Sequence, residues 1–187
     1  MKNLFSIRQK PSIDKEAWLR SCLLQNESSL IRYVKSLVHN LETSKEIVQD
    51  SFLKLWEQDP VELKGFETQW LFTTSRNRAY DYLRKKKRNT GNADELLSKV
   101  ADSSPNSEEK LLEQNTLSLL ENLLKTLSPE HREVINLKFQ HGLSYKEIAE
   151  VTGLSSNHVG VVLHGIVSKL KEKLKTIESN GGRYENK

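Results

Sequence analysis

No stretch of the chain alternates apolar and polar residues for long enough to make a strand. Wound at about 100° per residue, its apolar positions gather on one side instead. Helices are predicted near 14–25, 27–40, 44–57, 68–87, 108–126, 129–140, 144–151 and 156–177. Helix-start signals support them. Thr43-x-x-Glu46 and Ser144-x-x-Glu147 fit a capping box, whose side chains satisfy the free N–H groups of a first turn. Ser128-Pro129 places a capping hydroxyl before a proline at the first helical position. With only 8 Gly and 4 Pro in 187 residues to interrupt helices, the fold class is all-α.

Charge divides the chain. Residues 1–88 carry a net charge of +6, residues 89–109 of −4, and residues 110–187 of +2. The middle segment is polar and rich in small residues, the composition of a linker. The expected layout is a flexible tail (1–12), a first helical domain (13–88), a flexible acidic linker (89–107), a second helical domain (108–177) and a flexible tail (178–187). No apolar run approaches a membrane span or a signal peptide, so membrane insertion is not expected and a cytoplasmic location is.

Two helical faces in the first half carry candidate chemistry. On 44–57, Glu46, Asp50, Leu53 and Glu57 share one side, with Ile47, Val48, Phe52, Leu55 and Trp56 elsewhere. This is either a solvated acidic stripe or a docking face for a basic partner to which Leu53 adds apolar contact. On 68–88, Gln69, Thr73, Arg76, Asn77, Tyr80, Arg84 and Lys87 lie within about a 100° arc, roughly opposite Leu71, Phe72, Ala79, Tyr82 and Leu83. Guanidinium and ammonium groups for phosphates, an amide for base edges and a ring for stacking are what single-stranded nucleic acid needs. The run Arg84-Lys85-Lys86-Lys87-Arg88 adds a salt-dependent phosphate contribution. The plainer alternative is a basic helix end favoured by the helix dipole.

The segment 144–164 has the pattern of a helix-turn-helix. Ala149 allows close helix approach, Gly153 permits a left-handed turn, and Val159 fills the angle between the helices. Its second helix carries Asn157, His158, Gly160 and Val161 outward, with no Arg or Lys before Lys169. Such hairpins often serve packing alone.

Other residues attract plainer expectations. The five histidines show no i,i+4 pair and no cysteine cluster, so no metal site is expected. Cys22 is expected to be a buried small apolar group, and Trp18, Trp56 and Trp70 to be core residues. No phosphate loop, nucleophile elbow or carboxylate pair appears, so neither catalysis nor a cofactor is expected.

Taken in order, these segments resemble bacterial RNA polymerase sigma factors of the extracytoplasmic-function, sigma-70-like type. Glu46-Ile47-Val48-Gln49-Asp50-Ser51-Phe52-Leu53-Lys54-Leu55-Trp56 is similar to that family's polymerase-binding helix. Trp70-Leu71-Phe72, Arg76-Asn77 and Asp81-Tyr82-Leu83-Arg84 resemble the helix that melts and reads the minus-ten promoter element. Leu127-Ser128-Pro129-Glu130-His131-Arg132-Glu133-Val134 and Gly142-Leu143-Ser144-Tyr145-Lys146-Glu147-Ile148-Ala149 resemble the opening of its minus-35-binding domain. The resemblance covers about residues 18–177.

The resemblance implies a protein that binds core RNA polymerase and directs promoter recognition, melting and initiation. It implies that Glu46, Gln49, Asp50, Leu53 and Glu57 dock on the clamp helices of the polymerase's largest subunit. Lys64, Phe66, Trp70, Thr73, Arg76, Asn77, Tyr80, Arg84, Lys87 and Arg88 would meet minus-ten DNA, with a flipped base near Leu63-Lys64-Gly65-Phe66-Glu67. Ser144, Tyr145, Ser156, Asn157, His158, Val161 and His164 would meet the minus-35 duplex, supported by the lysines of 169–175. The linker would lie along the polymerase's basic channel, and an anti-sigma factor is an implied partner.

The chain departs from the family pattern in two places. Thr43 and Lys45 stand where acidic residues are common, and Gly160, Val162, Gly165 and Val167 where basic ones are. The implied minus-35 contact is therefore weak and dependent on polymerase. Two other readings stay open. A stand-alone helix-turn-helix regulator would bind duplex by itself; a degenerate sigma-like protein would bind polymerase without initiating.

Overall fold

The computed structural model describes residues 14–90, 124 and 126–181, which divide into two compact units between Lys86 and Lys87. Among these residues every regular element is a helix.

The first unit is built from α1 (Lys15–Val38), α2 (Leu41–Trp56) and α3 (Glu67–Thr90). The Asp14 carboxylate starts α1 by accepting from the N–H groups of Glu16 and Ala17. His39 ends the helix in the left-handed region (φ 55°), donating its N–H to Lys35 O. Asn40 then caps α2 by accepting from Thr43 N–H, so two residues reverse the chain into a helical hairpin. α1 and α2 pack against each other, and α3 closes on both. The core holds Leu30, Tyr33 and Val34 from α1, Val48, Phe52 and Leu55 from α2, and Leu71, Phe72 and Ala79 from α3. Tyr33 and Phe72 meet with ring centroids 5.1 Å apart.

Where α2 and α3 cross, the buried polar residues are small. Ser75 donates to the Ser51 hydroxyl at 3.0 Å, and Ser51 donates to Ile47 O at 2.8 Å. Small side chains let the helices approach closely, and the relay leaves neither hydroxyl unpaired.

The second unit contains α4 (Pro129–Ile135), which runs into one π-helical turn (Asn136–Gln140), then α5 (Tyr145–Thr152) and α6 (Ser156–Gly181). Ser128 caps α4 through His131 N–H, ahead of Pro129. Ser144 and Glu147 form both halves of the expected capping box on α5. Gly153, at φ 80°, ends α5 and donates to Ala149 O at 2.8 Å. Ser155 starts α6 by accepting from His158 N–H at 3.1 Å. Val134, Leu137, Leu143, Ile148, Val159 and Leu163 form the core, with Ala149 buried at the helix crossing.

Several expected boundaries are corrected. Helices 14–25 and 27–40 are one helix, because buried Asn26 donates to Cys22 O at 2.8 Å and stays inside the ladder. The helix expected at 44–57 begins at Leu41, since Asn40 is the cap and Thr43 sits within the first turn. The helix expected at 68–87 runs from Glu67 to Thr90, its cations lying where the dipole favours them. The helix expected at 156–177, with a loose tail after it, continues to Gly181. The expected helix 108–126 lies outside the described residues apart from Leu124, which is helical, and Thr126, which is in a turn; the linker beyond Thr90 and residues 1–13 also lie outside them.

Candidate nucleic-acid and polymerase surfaces

On α2 the helical period turns Glu46, Gln49, Asp50, Leu53 and Glu57 outward, and all five are exposed. Leu53 is 61% exposed, an apolar centre within an acidic border. Ile47, Val48, Phe52 and Leu55 are buried on the other side. Asp50 already has a partner, since Arg78 of α3 donates to it at 2.6 Å. Trp56 is not a core residue. It winds to the edge of the stripe, where it is exposed with the Lys15 ammonium 5.1 Å from its ring centroid. Trp18 and Trp70 are half-buried.

The turn between α2 and α3 is held by side chains. Asp59 accepts from Val61 N–H at 2.8 Å, and Phe66 N–H donates to Leu63 O at 2.8 Å. Gly65 takes φ 84°, a torsion that glycine adopts without steric cost. The Glu67 carboxylate joins this turn to α1. One oxygen accepts from Gly65 N–H at 2.8 Å and the other from the Trp18 indole N–H at 3.2 Å. The result presents Lys64 and Phe66 to solvent, Phe66 at 56% exposure.

Along α3 the next turns continue that surface. Arg76, Asn77, Tyr80, Asp81 and Arg84 line one shallow recess, with the Arg76 guanidinium 4.6 Å from the Tyr80 ring centroid. Asp81 pairs with Arg84 at 3.3 Å, both largely exposed, a pairing worth little. Thr73 is half-buried, its hydroxyl donating to Gln69 O at 2.9 Å. Lys87 and Arg88 are exposed beyond the recess. Expected minus-ten residues from Phe66 to Arg84 thus follow one helix and the turn that starts it. Asp81 is the recess residue missing from the expected set; a search for cations and rings passes over an acid between them.

In the second unit Tyr145, Ser156, Asn157, Gly160, Val161, His164 and Gly165 line a second shallow recess. Five of the seven expected minus-35 residues are in it, and Ser144 adjoins Tyr145 as the cap of α5. Val161 is 70% exposed, an apolar surface at the centre of the outward face. Gly160 faces the Tyr145 ring, and a Cβ there would meet it at 3.7 Å. Val162 is only 6% exposed. Its position belongs to the core, so the absence of a cation there removes no surface contact.

His158 departs from this group. Its Nε2 lies 3.7 Å from Glu130 of α4, and its ring centroid is 6.3 Å from that of His131. Ligand-type atoms of Glu130, His131 and His158 all lie within 4.8 Å of one another. The sequence shows no i,i+4 histidine pair and no cysteine cluster, and only the packing of α6 on α4 brings His158 to Glu130 and His131.

Cys22 is buried in the first unit. Burial pushes its thiol above the ordinary range, and the Glu67 carboxylate adds to the rise. Among the described residues, no helix is long and apolar enough to cross a membrane.

The two units correspond to two known families. Residues 22–89 match the model described as Sigma-70 region 2, and residues 117–173 match Sigma-70, region 4. The ECF RNA polymerase sigma factor SigL of Mycobacterium tuberculosis is 27% identical, over 86% of this chain and 91% of its own. RNA polymerase sigma factor YlaC of Bacillus subtilis is 27% identical, over 80% of this chain and 88% of its own. The sigma factor RpoE from Bartonella quintana, solved in complex with the anti-sigma factor NepR, superposes with a TM-score of 0.60. That likeness covers 83% of this chain and 96% of RpoE at 27% identity. With region 2 and region 4 in order on one chain, and relatives matched along most of their length, this protein belongs to the sigma-70-like family of RNA polymerase sigma factors, of the extracytoplasmic-function type.

Proposed function

We propose that this sigma factor binds core RNA polymerase through α2 and opens promoters through α3. The observation that carries the reading is the recess of Arg76, Asn77, Tyr80 and Arg84, with exposed Phe66 in the turn leading into the same helix, which together combine cations, an amide and rings. Single-stranded DNA needs both elements, phosphate neutralisation and stacking. Lys64, Phe66 and Trp70 receive an extruded base of the minus-ten element, and Thr73 to Arg88 track the separated strand. Glu46, Gln49, Asp50, Leu53 and Glu57 dock on a basic surface of the polymerase clamp, Leu53 supplying the apolar centre.

The α5–α6 hairpin meets the minus-35 duplex with Ser144, Tyr145, Ser156, Asn157, Val161 and His164. Lys169, Lys171 and Lys175, all exposed, support it with phosphate contacts. Its reading edge lacks cations, so this contact works when polymerase holds the domain in place. The protein performs no chemistry itself, acts in the cytoplasm, and is held in check by an anti-sigma factor, as the complex of RpoE with NepR supports.

Run-off transcription with core polymerase and upstream fragments of the source genome tests this. Specific transcripts that vanish with Asp50→Arg or Arg76→Glu support it. A stable polymerase complex without transcripts would favour a sigma-like competitor instead. Autonomous, tight duplex binding without polymerase association would favour a stand-alone regulator.

A further inference from the structure

We infer that Glu130, His131 and His158 form a site for a borderline divalent transition ion of the zinc class. Two imidazoles and one carboxylate come from two helices, α4 and α6, with their ligand atoms within 4.8 Å of one another. The ligand types select the ion. Hard cations such as magnesium and calcium require mostly oxygen donors, whereas imidazole nitrogen suits zinc, nickel and copper.

The geometry needs little change to close. His158 Nε2 and Glu130 Oε1 stand 3.7 Å apart, close to the separation of two ligands sharing one tetrahedral ion. His131 is half-buried, whereas Glu130 and His158 are exposed, so rotation of exposed side chains brings the third donor in. Three protein ligands leave a coordination position for water, which makes this an exchangeable site rather than a closed structural one. The first turns of both helices present partial positive charge, which opposes a cation. The Glu130 carboxylate offsets it, and its loss should weaken the site as much as loss of an imidazole.

The consequence is mechanical. A bound ion ties the first turn of α6 to α4 and keeps His158 turned away from the recess formed by Tyr145, Asn157 and Val161. The clip stands whether or not α6 reads DNA, because its ligands and its readout lie within the second unit.

Titration of the full chain with Co2+, followed by visible absorption and then by displacement with Zn2+, tests the site. One ion per chain is expected, with absorption bands of low-coordinate cobalt. His131→Ala, His158→Ala and Glu130→Gln should each weaken binding at least ~10-fold, since loss of an outer-shell partner alone costs that much. His39→Asn, which removes an exposed imidazole from the first unit, should bind as the unaltered chain does. Zn2+ should raise the unfolding temperature of the unaltered chain and leave that of His131→Ala/His158→Ala unchanged. Retained helicity in the variants, read by circular dichroism, separates impaired ligation from an impaired fold. Unchanged Co2+ affinity in the double variant, equal weakening by His39→Asn, or no binding by the unaltered chain would each overturn the assignment.

Discussion

Arg78 of α3 reaches across to α2 and donates from Nη1 to Asp50 Oδ2 at 2.6 Å, so the centre of the acidic stripe proposed to dock on polymerase is already paired. Arg78 is about 29% exposed and Asp50 about 53%, and such a pair contributes roughly 0–1 kcal/mol. Its larger effect is electrostatic. It lowers the negative charge that a basic partner meets and must be exchanged or shared on docking. Arg78→Gln should therefore cost at most about 1 kcal/mol of stability while strengthening association with core polymerase several-fold. Asp50→Asn should leave the fold intact and weaken the same association by about tenfold, roughly 1.4 kcal/mol. Denaturant titration and a polymerase-binding isotherm at fixed salt check both.

If the α3 cations bind phosphates, as proposed, their removal should show in salt dependence more than in stability. For a single strand, each phosphate-binding cation removed should lower the slope of log affinity against log salt by about 0.7. Arg76→Ala/Lys87→Ala should reduce it by about 1.4 for a minus-ten oligonucleotide bound to the holoenzyme. Tyr80→Ala should instead lower affinity by about 1–3 kcal/mol with the slope unchanged, since stacking releases no counterions. An equal slope in the double variant would remove these side chains from the DNA interface.

Glycine-to-alanine substitutions in the second unit should split by sign. Gly153 holds φ 80° with open space around it, so alanine there costs the left-handed torsion alone, about 1–2 kcal/mol. Gly160 and Gly165 are helical positions in α6. A Cβ at Gly160 would rest on the Tyr145 ring at ordinary contact distance, and one at Gly165 would meet nothing. Each should stabilise by about 0.5–1 kcal/mol. Thermal unfolding should show shifts of opposite direction, of several degrees each.

Cys22 links the first unit to alkaline pH. Its folded thiol titrates above the ordinary range because it is buried beside the Glu67 carboxylate. The stability it contributes is therefore complete below the unfolded thiol's pKa. It is lost as pH rises through that value towards the folded one, because the unfolded chain ionises first. Cys22→Ala should flatten this alkaline fall, and thiol-reactive reagents should modify native Cys22 slowly. Unfolding midpoints across the alkaline range measure the first effect and labelling rates the second.

The all-α class, the order of its helices and most of the two candidate surfaces were legible in the sequence, because they depend on local physics. The helical period alone places Glu46, Asp50 and Leu53 on one side, and Arg76, Tyr80 and Arg84 on another. Ser144, Glu147 and Gly153 announce α5 through capping and a left-handed turn whose partners lie within a few residues. Asn26 misled because its propensity is to end a helix, whereas tertiary burial kept it inside one through a bond to Cys22 O. Trp56 misled because size and apolarity do not say which side of a helix faces the core.

Packing between helices decided the rest. That Asp50 meets Arg78, that Val162 is core rather than reading edge, and that His158 joins Glu130 and His131 all follow from contacts between segments far apart in sequence. Local propensity and periodicity carry no information about such pairs, since a helix's period fixes the direction of each side chain but not the neighbour it finds there.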